Sequence, residues 1–200
     1  MNEKIVVSSI ESKTFITDRL DSEKFLRVFP IFEDENVYFA KNLLINENDS
    51  VLDIGTGSGI LSIFASEKTN KRIVSTDISD RALQFAHFNS YLNNCQDKIE
   101  FVKSDGLEHI SGQYNCVLFN PPFNLTPKTH KGAAFSDGGE DGFNIARRVF
   151  THLNDVITPT GKLQMISLSM GSNGVPIILN EIKKYLGNNT NIDYTKLYPK

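Results

Sequence analysis

The chain has 200 residues, 40% hydrophobic and 22% charged, which suits one soluble domain with a real core and leaves little room for a second. A formal net charge of -3 excludes the broad basic face of a stand-alone nucleic-acid binder, though a local basic patch stays open. No apolar run approaches the roughly 18 residues of a membrane span, the apolar stretch in the charged MNEKIVVSSI is shorter than a signal peptide needs, and Cys95 and Cys116 form no CxxC pair. A buried free thiol at Cys116, a reducing compartment and a cytoplasmic location are the expectations.

Residues 1–50 are polar and rather acidic, with an apolar island, FLRVFPIF, at 25–32. EDENVYFAKNLLI then places Val37, Ala40, Leu43 and Leu44 at helical spacing behind acidic residues, which predicts a helix over 33–45. From residue 50 the pattern changes. SVLDIG (50–55) is a short buried strand ending in glycine, GILSIFASE (59–67) a helix, and RIVSTD (72–77) a second strand. SDRALQFAHFNSYLN (79–93) is a helix with Ser79 as N-cap. Strands follow over 98–105 and 115–120, then a helix over 139–157 with Glu140 and Asp141 at its start. A strand over 161–169, a helix over 175–187 stopped by Gly187, and a strand over 192–198 complete the chain.

Strands alternating with helices predict an α/β fold, a mostly parallel sheet with helices on both faces. The division is a substrate-side lid over 1–49 and a catalytic domain over 50–200. Ligands of such sheets bind beyond the carboxyl ends of the strands. Standing there are Asp53 to Gly59, Asp77, Asp105 and Asn120 to Phe123.

The first strand runs into D-I-G-T-G-S-G, with Thr56 between Gly55 and Gly57, and Gly59 last. Glycines allow positive φ and close approach of a ligand to the backbone. The loop is no phosphate-cradling P-loop, because no Lys-Ser/Thr pair follows. Nor is it a dinucleotide fingerprint: the last glycine falls one residue early and Ile60 takes its place. Asp77 ends the second strand about 20 residues on, where a carboxylate can accept hydrogen bonds from ribose hydroxyls. Asp105 ends the third and could take an adenine amino group. Each aspartate alone reads equally as a surface turn residue. Together they describe a nucleoside-bearing ligand that needs no pyrophosphate.

VLDIGTGSGIL, STDIS and NPPF, in that order and spacing, resemble a class I S-adenosylmethionine-dependent methyltransferase over about residues 50–170. The resemblance implies a Rossmann-like fold with S-adenosyl-L-methionine as cofactor. It implies that Gly55, Gly57 and Gly59, with Thr56, line the methionine part and that Asp53 supports their loop. It sets Asp77 on the ribose diol, Ile78 on the adenine, and Asp105 with Gly106 at the adenine edge. Asn120 borders both cofactor and acceptor.

The Asn120-Pro121-Pro122-Phe123 corner could be a plain strand stop, since proline donates no N–H and fixes φ. In this setting it can do more. A planar amide or aromatic amine is a poor methyl acceptor because its lone pair is delocalised. The Asn120 side-chain oxygen and the Pro121 carbonyl can grip its two N–H groups, while Phe123 stacks on a flat substrate. The corner resembles Asn-Pro-Pro-Tyr/Phe enzymes that methylate glutamine amides or exocyclic base amines. FSDGGEDGFNIARRVF (135–150) is similar to the matching segment of HemK-like release-factor glutamine methyltransferases. Position 123 is Phe, where those enzymes usually have Tyr and rRNA guanine enzymes often have Phe. About 50 residues precede the core, too few for the separate helical domain of the HemK-like group.

The expected acceptor is a protein glutamine. An RNA base, a small metabolite or a non-catalytic cofactor-binding role are the alternatives. Lys128, His130 and Lys131 form a loop that could meet a substrate anion or simply be solvated. Arg147 and Arg148 would join Lys128 and Lys131 in a basic rim if the acceptor were RNA. His87, His109 and His152 show no ligand spacing, so no metal is assigned. A C-terminal hairpin with only one of its two strands is expected, from a shortened chain or an edge closed by a partner. That open edge would favour self-association.

Overall fold

The computed structural model describes residues 5–21, 27–31, 33–130, 133–172 and 175–197. Its central sheet has five parallel strands: β3 (Val51–Ile54), β4 (Ile73–Asp77), β5 (Ile99–Lys103), β6 (Tyr114–Phe119) and β7 (Ile157–Met165), in the order β5-β4-β3-β6-β7. The chain thus winds outward in opposite directions from β3, and a crevice opens between the ends of β3 and β6. Alternation across the pleat divides the core. On one face Val51, Cys116 and Leu118 meet Ile60, Leu61 and Phe64, around α2 (Ile60–Ala65). On the other, Leu52, Ile54, Val117 and Phe119 meet Val149, Phe150 and Leu153 of α4 (Asn144–Val156) and Ile182 of α5 (Ile178–Leu186). Strands buried on both faces must be apolar throughout, which is why they read as short unbroken runs. A fully buried side chain such as Leu153 contributes roughly 2 kcal/mol.

The helix α3 (Asp80–Leu92) starts where its cap predicts: the Ser79 side chain accepts from the Ala82 N–H. Gly187 ends α5 at φ +92°. Both cysteines are free and buried.

Several expectations are corrected. The first 50 residues hold an antiparallel hairpin, β1 (Ile5–Ile10) with β2 (Lys13–Asp18). It docks on α3 through two asparagine amides that act like a strand edge. Asn89 bonds the N–H and carbonyl of Ile16 (2.8 and 3.0 Å), and Asn93 bonds those of Thr14 (3.0 and 2.8 Å). The helix expected over 33–45 is instead a wide π-helical turn, Glu33–Val37, followed by one α-helical turn, α1 (Tyr38–Lys41). Helix α4 begins at Asn144, not at 139, because Gly139 and Gly142 hold φ of +79° and +81°. Strand β7 begins at Ile157, straight from α4, with a register shift between Tyr114 and Cys116. Residues 171–172 and 175–176 pair as a short antiparallel β8 (Gly171–Ser172) and β9 (Val175–Pro176) before α5. Residues 192–197 form no strand, and 198 lies outside the described residues. Among the described residues β7 is therefore an edge of the sheet, and no helix is long and apolar enough to cross a membrane.

Candidate active site

Asp53 sits next to the last residue of β3 and is fully buried. Its Oδ2 accepts from the hydroxyls of Thr56 and Ser62, both at 2.7 Å. Its Oδ1 is buried and has no partner among the described residues. Burial pushes its pKa up to about 6; the Thr56 and Ser62 bonds oppose the shift and the charge of Asp77 adds to it. Asp77, at the end of β4, is bound into the glycine loop. Its Oδ2 accepts from the Gly57 N–H and its Oδ1 from the Ser79 N–H, each at 2.9 Å. Burial raises this carboxyl too. Each oxygen still has a lone pair for a ligand hydroxyl. Ile78 follows with 54% of its surface exposed, an apolar lip beside that carboxylate.

The loop glycines differ in purpose. At Gly59 a Cβ would stand 3.1 Å from Cα and Cβ of Ala86, so the loop presses onto α3 there. A Cβ on Gly55 would meet nothing within 4 Å, so open space lies over the loop. Asp105 reaches the same end of the sheet, but its Oδ2 is occupied by Arg148 of α4, at 2.7 Å. Gly106 takes φ +62°, and the Ser104 hydroxyl bonds its carbonyl at 3.1 Å.

The Asn120–Phe123 corner leaves the end of β6, next to β3 in the sheet. Asn120 Oδ1 is buried and has no partner among the described residues. Burial raises the pKa of the half-buried Glu35 carboxyl, and the Asn120 side chain opposes that shift. Pro121 is buried, and Pro122 and Phe123 are half-buried. Strand-like bonds brace the corner: Asn124 N–H to Ser136 (2.8 Å), Gly138 N–H to Asn124 (2.9 Å) and Thr126 N–H to Gly139 (2.8 Å), each to a backbone carbonyl. A Cβ on Gly138 would lie 2.8 Å from Phe123 Cα, and one on Gly142 would lie 2.7 Å from the Phe123 carbonyl oxygen. The GGEDG run is thus a backing plate for the corner rather than a helix cap. In front of the same loop, Phe29 stacks on Phe135 at 4.8 Å, with Arg27 over the Phe135 ring.

A cavity of about 550 Å³ lies along residues 126–147, lined by Thr126, Lys128, His130, Asp137, Asp141 and Arg147 among others. Its cations are paired: Lys128 with Glu140 (3.1 Å), and Arg147 with Asp141 and Glu181 (2.7 Å to the latter). Arg148 is held by Asp105. The open basic rim considered for an RNA acceptor is therefore largely neutralised, and Lys131 lies outside the described residues. Glu35 and the two packing glycines were not singled out by the sequence. The dense glycines after the proline corner were the available signal for Gly138 and Gly142; Glu35 had none.

These residues fit an adenosyl sulfonium. Two carboxylates at the loop, Asp53 and Asp77, would repel a diphosphate and attract a cation. Two buried acceptors, on Asp53 and Asn120, lack donors. Ile78 offers apolar surface to a base. The profile of the methyltransferase small domain matches residues 33–196. The chain belongs to that family. Its methyl donor is S-adenosylmethionine, and the sheet is the Rossmann-like sheet expected of it. A Methanocaldococcus jannaschii protein named for protein N5-glutamine methyltransferase activity is 33% identical over 154 residues, 75% of this chain and 76% of the relative. The ribosomal RNA small subunit methyltransferase C of Marinomonas is 29% identical over 58% of this chain, which spans only 30% of that relative. In fold, the Trm5b crystal structure from Pyrococcus abyssi matches 92% of this chain and 47% of its own at a TM-score of 0.64 and 17% identity.

Proposed function

We propose that this methyltransferase acts on a planar nitrogen, the side-chain amide of a protein glutamine. The observation that carries the reading is the buried Asn120 Oδ1, left without a donor at the end of β6 and followed directly by the Pro121 carbonyl. Two acceptors in that position suit a group with two N–H donors. When bound, S-adenosylmethionine supplies a methyl group on a positively charged sulfur. Asn120 and Pro121 orient the acceptor nitrogen so that its lone pair faces the cofactor side of the crevice. Their dipoles favour the partial positive charge that grows on that nitrogen. Phe123 offers a ring face to the flat amide. Asp77 suits the ribose diol, Ile78 the adenine, and Asp53 keeps the loop in shape.

The glutamine assignment draws on the archaeal relative that matches most of the chain. The pairing of Arg147, Arg148 and Lys128 with carboxylates weighs against an RNA acceptor. The test is transfer from methyl-labelled cofactor into cell extract, followed by separation of protein, RNA and small molecules. Label is expected in protein, recovered as N-methylglutamine after enzymatic digestion. Label confined to RNA or to small molecules would overturn the acceptor.

A further inference from the structure

We propose that the segment between β7 and α5 is a docking face for the protein that carries the acceptor. Its occupant is an apolar stretch of that same polypeptide, about six residues or more from the glutamine. This rests on the reading of the acceptor as a protein glutamine. Past Met165 burial alternates with the period of a strand. Leu168 and Met170 are exposed, while Ser167 and Ser169 are half-buried. Gly171 pairs with Pro176 where β8 meets β9, and the Ile177 N–H donates to the Met170 carbonyl at 2.8 Å, which sets Met170 opposite Ile177. Residues opposite each other share a face, and so do residues two apart on a strand. Met170, Val175 and Ile177 therefore point the same way, and with Leu168 they are 40–54% exposed. The other face is the anchored one. Pro176 is half-buried, Ile178 is buried against α4 and α5, and the Ile178 N–H bonds the Ser169 hydroxyl at 3.1 Å.

Place, charge and size together choose the occupant. Phe119 pairs with Met165, so β6 and β7 end side by side, about 5 Å apart. Asn120 follows the first of them, and Leu168 lies three residues past the second. Even at full extension Leu168 is within about 20 Å of Asn120, a span that six or so extended residues of a substrate cover. No charged residue occurs between Lys162 and Glu181, in a chain that is 22% charged. A phosphate backbone finds no partner on such a surface, whereas the cores of protein interfaces are depleted of charge and enriched in methionine. At about half exposure, the four side chains leave on the order of 200 Å² of apolar surface. A stable dimer buries roughly 600 Å² or more on each partner. The face is thus too small to hold a second copy by itself and suits a substrate that must leave after transfer.

The experiment follows labelled methyl into the protein fraction of cell extract, with serial dilution of that fraction giving KM and kcat. Wild type is compared with Met170→Asp, Val175→Asp, Met170→Leu and Phe88→Asp. Phe88 is the control: it is 51% exposed on the later turns of α3, which lead away from the carboxyl ends of the strands. Both variants at 170 and 175 that gain an aspartate should raise KM about 10-fold, because apolar contact is lost and a charge meets an apolar partner. Their kcat, their urea midpoints and their calorimetric affinity for the cofactor should stay close to wild type. Met170→Leu, which keeps the surface apolar, and Phe88→Asp should match wild type in KM. Wild-type KM in both Met170→Asp and Val175→Asp would overturn the docking face, as would an equal rise in Phe88→Asp or in Met170→Leu. A rise in KM matched by loss of cofactor affinity or of folding stability would make the segment mere support and overturn it as well. A wild-type dimer that Met170→Asp splits in sedimentation would hand the face to a second copy. Label confined to RNA or small molecules would sink the glutamine reading and the docking face with it; label in protein with no shift in KM would sink the docking face alone.

Discussion

The Gly57 N–H donates to the Asp77 carboxylate at 2.9 Å, joining the glycine loop after β3 to the end of β4. The second carboxylate oxygen takes the Ser79 N–H, also at 2.9 Å, and so ties the same side chain to the start of α3. One aspartate thereby ties the loop to the start of α3 and keeps a lone pair open on each oxygen.

Removing it should therefore act on cofactor binding before chemistry. Asp77→Ala is expected to weaken S-adenosylmethionine binding by roughly 10- to 100-fold, the loss of one or two charge-assisted hydrogen bonds. Turnover at saturating cofactor should change far less. Calorimetry beside single-turnover transfer separates the two. Unchanged affinity would remove Asp77 from the cofactor site.

Asp53 makes a prediction about pH. Its folded-state pKa, about 6, lies above the ordinary carboxyl value of 3.8 that applies when the chain is unfolded. The folded state therefore holds the proton more tightly. The stabilisation from that proton is full below about pH 4 and is lost as pH rises through 6. The lost amount is on the order of 3 kcal/mol, from about two pKa units at 1.36 kcal/mol each. Asp53→Asn, which stays neutral, should be more stable than wild type at pH 7, with the advantage shrinking toward pH 4. Urea unfolding of both proteins at pH 4, 5.5 and 7 measures this. A stability difference that ignores pH would refute it. The same substitution should weaken binding of the cationic cofactor, because it removes a buried negative charge beside the loop.

How much of this was legible depends on where each contact is made. The central strands β3 and β6 are legible because burial on both faces favours short, mostly apolar runs, and the polar stop after each run is local; the edge strand β7, with exposed and half-buried positions only, begins four residues before the strand read from the sequence. Ser79 is legible because its cap bond spans three residues. Asp105 was placed at the right end of the sheet, but its pairing with Arg148, 43 residues away, leaves no trace in either neighbourhood. The hairpin was hidden for a similar reason. Strand β1 alternates exposed and half-buried positions with no fully buried residue, and β2 is docked by asparagines that read as ordinary helix-surface residues.

Asn89 should accordingly matter more than a helix asparagine normally does. It is fully buried and bonds both backbone groups of Ile16 and the Ser58 carbonyl, the last at 2.8 Å. Asn89→Ala would leave these groups unmet, at about 1–3 kcal/mol for each buried one. The expected result is a loss of roughly 2–4 kcal/mol in urea unfolding and faster proteolysis between β1 and β2. A change below about 0.5 kcal/mol would show that water replaces the amide without cost.

The glycines behind the proline corner separate space from backbone freedom. A Cβ on Gly138 would meet Gly142 Cα at 2.7 Å, the Gly142 carbonyl oxygen at 2.8 Å and Phe123 Cα at 2.8 Å. All three are main-chain atoms, so no side chain can turn aside and the corner itself must shift. Gly55, in contrast, has φ +69° and open space, so Gly55→Ala carries backbone strain of about 1–2 kcal/mol without a clash. Gly138→Ala should lower kcat roughly 100-fold, since displacement of a positioning group by about 1 Å costs that much. Cofactor affinity should hold, because the glycine loop follows β3 and Asp77 ends β4, while the Cβ would strike only the corner after β6 and the Gly142 backbone behind it. Gly55→Ala should do the reverse, weakening cofactor binding with kcat at saturation largely kept. If both variants lost affinity and kcat together, the corner and the loop would be one mechanical unit, and the division of labour between Asn120 and Asp77 would fail.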